Sequence, residues 1–397
     1  MRRSLEAPSS ELRHELNSIF KDVKQHKSSK AFGKSEVFKE HGDEIKRVTS
    51  GIEFSNTYVN KKNDGELRIA AWNIERGREL DGIISFLAND LILQDADVLL
   101  ITEADIGMGR SGNRNVPKEM AEALGYNYCY GNSFLVLAKG DEGEQDHDED
   151  NTLALHGSAI LTRYPIRSVE TPILPSLRDY MRSSEQRLGQ RRGLICSVEI
   201  GGKLIDFATA HLELKTSPLQ RAQQLAAMLR PMLASGSSAQ VFGGDLNTHT
   251  YNLHNKFWLL MSFLYKLLYV GVPETIVQYM QPDRYFERPV FEVFRQYGFN
   301  VADFNDRRFG TLYYNLGEAA ASIKTRKWAP SFIHNWLREI LEPYGGEVPF
   351  RLDWLAGRGF SSSTAGRVVK PIGIEKPMWN NKRLSDHDPI VVDLKLG

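Results

Sequence analysis

From Leu67 onward, short apolar runs alternate with longer amphipathic ones. LRIAAWNI, ADVLLIT, HGSAILT, GLICSVEI, KLIDFATAHL, AQVFGGDLN, RLDWLAGR and DPIVVDLKL are brief apolar stretches bounded by turn formers, the pattern of strands, and FEVFRQYG is grouped with them. ELDGIISFLANDLILQ, VPKEMAEALG and SPLQRAQQLAAMLRPML repeat their apolar positions at helical spacing. Gly201-Gly202 splits GLICSVEI from KLIDFATAHL and predicts a hairpin. Strands outnumber helices, which favours an α/β architecture of mixed or antiparallel sheets with helices outside.

Residues 1–66 are more polar and read as an N-terminal extension to a main domain over 67–397. Within it Leu12, Leu16, Ile19, Phe20 and Val23 form the apolar stripe of a helix, and the remainder is expected to be loosely structured. Three segments interrupt the main domain. DEGEQDHDED, at 141–150, holds seven acids and no base and reads as a solvated loop. An insertion at about 251–289 is centred on FWLLMSFLYKLLYV, where only Ser262 and Lys266 are polar, so a helix there is apolar around most of its circumference. A second helical segment at about 317–345 carries Trp328, Phe332, Trp336 and Ile340 at four-residue spacing, preceded by Lys324, Arg326 and Lys327. The two apolar helices are expected to pack together as a lid. Contact of 257–270 with a membrane surface is the alternative.

Composition narrows the chemistry. Fifty Lys and Arg balance fifty Asp and Glu, which excludes a uniformly basic, polyanion-coating protein. With the acidic run set apart, however, the rest of the chain carries a net +7 (50 − 43), so a local basic face is compatible with the total. Two cysteines, Cys129 and Cys196, exclude a disulfide scaffold or a thiolate metal site and read as small buried hydrophobes. The basic N-terminus has no apolar core of a signal peptide, and no run of ~20 apolar residues predicts a membrane span. The expected compartment is the cytoplasm, peripheral at a membrane if 257–270 meets lipid.

The candidate chemistry lies where strands end. Asn73 and Glu75 close the first run, Glu103 the second, His211 the KLIDFATAHL run, Asp245 and Asn247 the AQVFGGDLN run, and Asp353, Asp386 and His387 stand at the C-terminal ones. One strand-end acid usually caps a turn, but six such ends brought to one sheet edge make a site. Carboxylate and amide oxygens without thiolates suit a hard cation, Mg²⁺ or Mn²⁺. Asp245 is then free to deprotonate a water, and His211 and His387 to face phosphoryl oxygens. That set suits in-line hydrolysis of a phosphate ester.

In this order WNIE, LLITE, GSAILTRYPI, AHLEL, GGDLN, RLDW and SDHDP resemble the endonuclease/exonuclease/phosphatase superfamily over about residues 67–397, apart from the interruptions. The resemblance implies a four-layer α/β sandwich, two central mixed β-sheets flanked by helices, here with the apolar helical insertion and the N-terminal helical extension. It implies metal ligation by Asn73, Glu103 and Asp386, water activation by Asp245, orientation by Asn247, and phosphate contacts from His211 and from His387 braced by Asp353. Thr102, Ser158 and Ala210 depart from the family's usual Gln, Asn and Thr. His156, Ser158, Arg191 and Arg192 are expected substrate contacts.

The expected activity is divalent-metal-dependent hydrolysis of a phosphodiester, of the endo- or exonuclease type. The alternatives are a sphingomyelinase-like lipid phosphodiesterase or a phosphatase that uses the apolar insertion, and, third, a scaffold that keeps the fold without catalysis. A nucleic acid substrate is supported by seven arginines against three acids between Arg163 and Arg192. Nothing in the sequence points to a protein partner.

Overall fold

Alternation along the strand Glu66–Arg76 sets the layering. Ile69 and Ala71 face one buried core, while Ala70 and Trp72 face another. The structure, a computed structural model, describes residues 2–58, 65–141, 148–251, 256–315, 346–360 and 366–396, together with 339 and 342.

Two mixed sheets stack face to face. The nine-stranded sheet runs Gly366–Gly373, Ile390–Leu396, Glu66–Arg76, Val98–Ile106, Leu155–Thr162, Asn127–Val136, Ile52–Ser55 and Ser9–Ser10, with Arg187–Gly189 also paired to Asn127–Val136. The six-stranded sheet runs Arg3–Ser4, Ile166–Glu170, Leu194–Ile200, Lys203–Thr209, Ala239–Asp245 and Asp353–Arg358. Each has a central parallel pair, Glu66–Arg76 with Val98–Ile106 and Lys203–Thr209 with Ala239–Asp245. Between the sheets lie Ile69, Ala71, Leu100, Cys129 and Ile160 against Cys196, Val198, Phe207, Val241 and Leu355.

Helices cover both outer faces. Leu80–Asn89, Val116–Leu124 and Glu36–Thr49 set Ile83, Leu87, Met120, Ile45 and Val48 against the nine-stranded sheet. Pro218–Leu233 and Arg288–Gln296 pack Leu225, Met228, Phe291 and Phe294 on Phe242 and Trp354 of the other sheet. Local chemistry explains the ends. The Asn115 side chain caps Val116–Leu124 by accepting from the Lys118 N–H, and Gly125 leaves it at φ 70°. The predicted hairpin forms: Ile200 pairs with Lys203, and Gly201 and Gly202 between them have φ of 59° and 73°.

Three expectations are corrected. Residues 2–58 are not loosely structured: they supply strands to both sheets, and the Ser35-capped helix Glu36–Thr49 to the outer layer. Arg2 ties its end down with two bonds to buried Asp206, of 2.9 and 2.6 Å. The helix expected over 11–25 is a 3₁₀ turn, Leu16–Ile19, and a short helix, Phe20–Lys24, although Leu12, Leu16 and Val23 do enter the core. FEVFRQYG is part of the helix Arg288–Gln296, because Val290, Phe291 and Phe294 lie on one face of it after Pro289 in its first turn.

In the insertion, Lys256–Tyr265 is helical and continues through a π-turn, Lys266–Val270, to Val272–Met280. Phe257, Leu268 and Tyr269 are 62%, 69% and 82% exposed. The aromatic stripe of Trp328, Phe332, Trp336 and Ile340, the nearby Lys324, Arg326 and Lys327, and residues 142–147 of the acidic run lie outside the described residues. Among the described residues no helix is long and apolar enough to cross a membrane.

Candidate active site

The two parallel strand pairs end at the same edge, and two glycines let them approach. A Cβ on Gly243 would meet Leu355, Leu100 and Ala71 within 2.7–2.9 Å, at the inter-sheet core. A Cβ on Gly244 would lie 2.3 Å from the Ala210 carbonyl oxygen. Only glycine lets this strand run so close to its neighbour and deliver Asp245 beside His211. Asp245 also stands directly opposite Asp353 in the antiparallel register.

Asp245 is the hub. Its Oδ1 accepts from the Asn247 N–H at 2.8 Å. Its Oδ2 accepts from Asn73 Nδ2 at 3.2 Å and faces His211 Nε2 at 3.4 Å and His387 Nε2 at 3.8 Å. Asn247 donates its side-chain amide to the Leu212 carbonyl at 2.9 Å, which holds the turn after the strand. His387 Nδ1 bonds Asp353 Oδ2 at 2.6 Å. Its backbone is held too: the His387 N–H donates to Ser385 Oγ at 3.1 Å, Ser385 Oγ donates to the Asn73 carbonyl at 2.7 Å, and Trp72 Nε1 donates to the His387 carbonyl at 2.8 Å. His211 Nδ1 stands 3.4 Å from Glu103 Oε1, and Arg76 pairs with Glu103 Oε2 at 3.1 Å.

The backbone at this edge is unusual. Glu75, Arg76, Glu103 and Asn247 have φ of 46°, 69°, 55° and 51°, in the left-handed region that side chains other than glycine adopt at a cost of about 1 kcal/mol or more each. Register shifts between Asn73 and Arg76, and between Ile101 and Ala104, accompany them and re-aim the acids.

The two histidines are driven apart in protonation. Burial opposes charge on His387, but Asp353, Asp245 and Asp386 outweigh it and hold its pKa well above the ordinary value. Burial and the Arg191 guanidinium push His211 down to about 4, so it is neutral at pH 7. Burial raises the Asp245 carboxyl, against the pull of the two imidazoles. Glu103, though buried, is kept well below the usual carboxylate range by Arg76 and His211.

Glu103, His211, Asp245, Asn247, Asp386 and His387 all line one cavity of about 320 Å³. Asn73 sits beneath Asp245, and Asp353 stands behind His387. Arg191 lines the cavity and donates to the His211 carbonyl at 2.9 Å. His156 reaches the same cavity, but its Nδ1 is bound to Asp105 at 2.7 Å, and burial takes its pKa to about 4. Ser158 is buried in a small recess behind. Arg192 does not line the catalytic cavity: it donates to the Thr171 carbonyl at 3.0 Å and faces a neighbouring groove, because consecutive residues of an extended segment point to opposite sides. Glu75, the extra acid, pairs with Arg78 at 3.0 Å and accepts from the Asp386 N–H at 3.2 Å. Sequence reasoning missed Arg76, Arg178, Tyr180, Arg187 and Glu213, which also line the cavity. They lie beside or between the recognisable motifs, and only Arg76, next to Glu75, carried a positional signal.

The Endonuclease/Exonuclease/phosphatase family model matches residues 70–329. Among solved structures, an endonuclease/exonuclease/phosphatase from Beutenbergia cavernae is 17% identical, with 84% of this chain and 72% of that one covered and a TM-score of 0.46. TDP2 of D. rerio, complexed with single strand DNA product, is 15% identical over 84% of this chain and 100% of that one, at a TM-score of 0.47. An AP endonuclease from Archaeoglobus fulgidus is 16% identical over 82% and 98%, at 0.44.

Proposed function

The chain belongs to the Endonuclease/Exonuclease/phosphatase family, whose members are hydrolases of phosphate esters, and on that premise we propose that it is a metal-dependent phosphodiesterase of the nuclease type. One observation carries the reading. A buried carboxylate, Asp245, is flanked by a neutral imidazole and by an imidazolium that a second carboxylate holds in place.

Enzymes of this family generally use divalent metals. The donors at this edge fit one. Glu103, Asp386 and Glu75 offer only oxygen, and Glu75 is pushed up by burial and by the Asp386 carboxylate, a repulsion that a cation relieves. Asp245, Asp353 and His387 also approach within 4.8 Å of one another. There, however, Nδ1 of His387 is committed to Asp353, so we assign Asn73, Glu103 and Asp386 to hold the ion, with Mg²⁺ or Mn²⁺ as its identity. When bound, the ion supplies Lewis-acid stabilisation of phosphoryl oxygen charge.

The remaining work falls to the chain's own side chains. Asp245 accepts a proton from the attacking water, while Asn73 and the Asn247 N–H hold the carboxylate in line. His387, kept as imidazolium by Asp353, donates to a phosphoryl oxygen as charge builds there. His211, neutral, offers a hydrogen bond without competing for the proton of Asp245.

A second reading, a lipid phosphodiester substrate, has its own observation. Phe257, Met261, Tyr265 and Leu268 are exposed at helical spacing along the insertion. Initial rates on bis(4-nitrophenyl) phosphate, DNA, RNA and phosphocholine lipid vesicles, with and without Mg²⁺, test both. Asp245→Asn and His387→Ala are each expected to lower turnover by ~10²-fold or more. Undiminished rates in either variant, or full activity in chelator, would overturn the assignment. Vesicle flotation that depends on the exposed insertion residues would favour lipid and a membrane-peripheral location over the cytoplasm.

A further inference from the structure

Part of the cavity wall has more guanidinium groups than carboxylates to pair with them. Glu213 receives Arg191 at 3.5 Å and Arg178 at 3.4 Å, together with the Tyr180 hydroxyl. Glu185 is shared by Arg187 and by Arg110, which meets it at 2.7 Å. Arg110 also holds Asp105 at 2.7 Å, and that carboxylate is shared in turn with His156. A purely structural network would pair such buried charges one to one.

These arginines are also set in place. The side chains of Arg187 and Arg191 are 17% and 11% exposed. Both guanidinium groups lie near the Phe134 ring, 5.3 and 6.0 Å from its centroid. Burial and the neighbouring Arg110, Arg191 and Arg76 lower the Arg187 pKa to about 9, which leaves it charged near neutrality. Fixed, under-neutralised guanidinium forks facing a cavity match the geometry of a phosphate.

We propose that Arg178, Arg187 and Arg191 form a subsite for a second phosphate group of the substrate, beside the phosphate hydrolysed at Asp245. The subsite deepens the phosphodiesterase reading and rests on it for the position of the first phosphate. Arg178 and Tyr180 also line a groove of about 900 Å³ with Lys30, Lys46 and Arg192, so a longer anionic substrate has room to continue. The N-terminal region, which lies outside the family match, builds one wall of that groove.

Binding to the Asp245→Asn protein, where turnover does not interfere, tests the subsite. A dinucleotide with a 5′-phosphate is compared with the same dinucleotide ending in a 5′-hydroxyl, and a cyclitol bisphosphate with the corresponding monophosphate. At least one second-phosphate ligand should bind ~10-fold tighter than its partner, and the responding arm names the source of the phosphate. Adding Arg187→Gln or Arg178→Gln should erase that preference, and Arg187→Lys should restore part of it. Arg178 is the more exposed of the two, so its variant keeps the test intact if Arg187→Gln fails to fold. Equal affinity within both ligand pairs, or a preference that survives both glutamine substitutions, overturns the subsite. Absence of turnover by the wild type on every phosphodiester refutes the hydrolase reading and leaves the binding comparison to decide the subsite.

Discussion

Replacing Gly244 with alanine should damage stability and catalysis together. The added Cβ would stand 2.3 Å from the Ala210 carbonyl oxygen and 3.0 Å from its nitrogen, both backbone atoms without a rotamer to escape into. Carbon–oxygen contacts settle at about 3.3 Å or more, so the two strands must part by about 1 Å. Ala210 precedes His211 and Gly244 precedes Asp245, so that separation opens the 3.4 Å approach of His211 to Asp245. Misplacement of this size costs ~10²-fold in rate, and overpacking costs ~1–3 kcal/mol. Unfolding entropy of ~2.1 cal/mol/K per residue, over 397 residues, converts that into a Tm lowered by roughly 1–4 °C. Calorimetry and initial rates on bis(4-nitrophenyl) phosphate measure the two effects. Gly202→Ala is the control. Its Cβ meets nothing within 4 Å, but its φ of 73° is strained for alanine, so Tm should fall while the rate holds. A Gly244→Ala protein with wild-type rate and Tm would refute the claim that close approach of these strands positions the site.

Three further outcomes follow. Asp353→Asn removes the partner of His387 Nδ1 and should lower kcat by ~10²-fold; because His387 acts protonated and loses its main support, the high-pH limb of the rate profile should move to lower pH. An unmoved limb would show that Asp353 does not set that proton. Glu213, buried but paired with Arg191, has its pKa lowered to about 2, so its contribution of about 3 kcal/mol is present above pH 4.5 and lost as pH falls toward 2. Chemical unfolding of wild type and Glu213→Gln should therefore differ most above pH 4.5 and converge below it, and a constant gap would contradict this. Burial lowers Lys266 to about 7, so wild-type stability should rise as pH climbs from about 7 toward 10.5, while Lys266→Met should lack that rise and be the more stable at pH 7; parallel unfolding curves for the two would count against a buried, charge-strained lysine.

How much was legible depended on the range of the interaction. Strand-end placement of Asn73, Glu103, His211, Asp245, Asp353 and His387 could be read directly, because alternation of apolar residues and the stop after them are local. The Gly201-Gly202 hairpin was equally local, since two residues at positive φ make the turn. FEVFRQYG was too short for its helical spacing to stand out from a strand. Arg191 and Arg192, adjacent in sequence, could not be told apart until the path of the chain sent one toward His211 and the other toward Thr171.

By itself the sequence determined the family's motif order, the sheet-forming segments and the residue types able to handle a phosphate, because each rests on nearest-neighbour periodicity and side-chain chemistry. Only the tertiary structure decided that residues 2–58 edge both sheets, that His211 and His387 hold opposite protonation states, and that arginines between the motifs share too few carboxylates. Those properties are sums over burial and charge from strands hundreds of residues apart, and such sums exist only once the two sheets have packed.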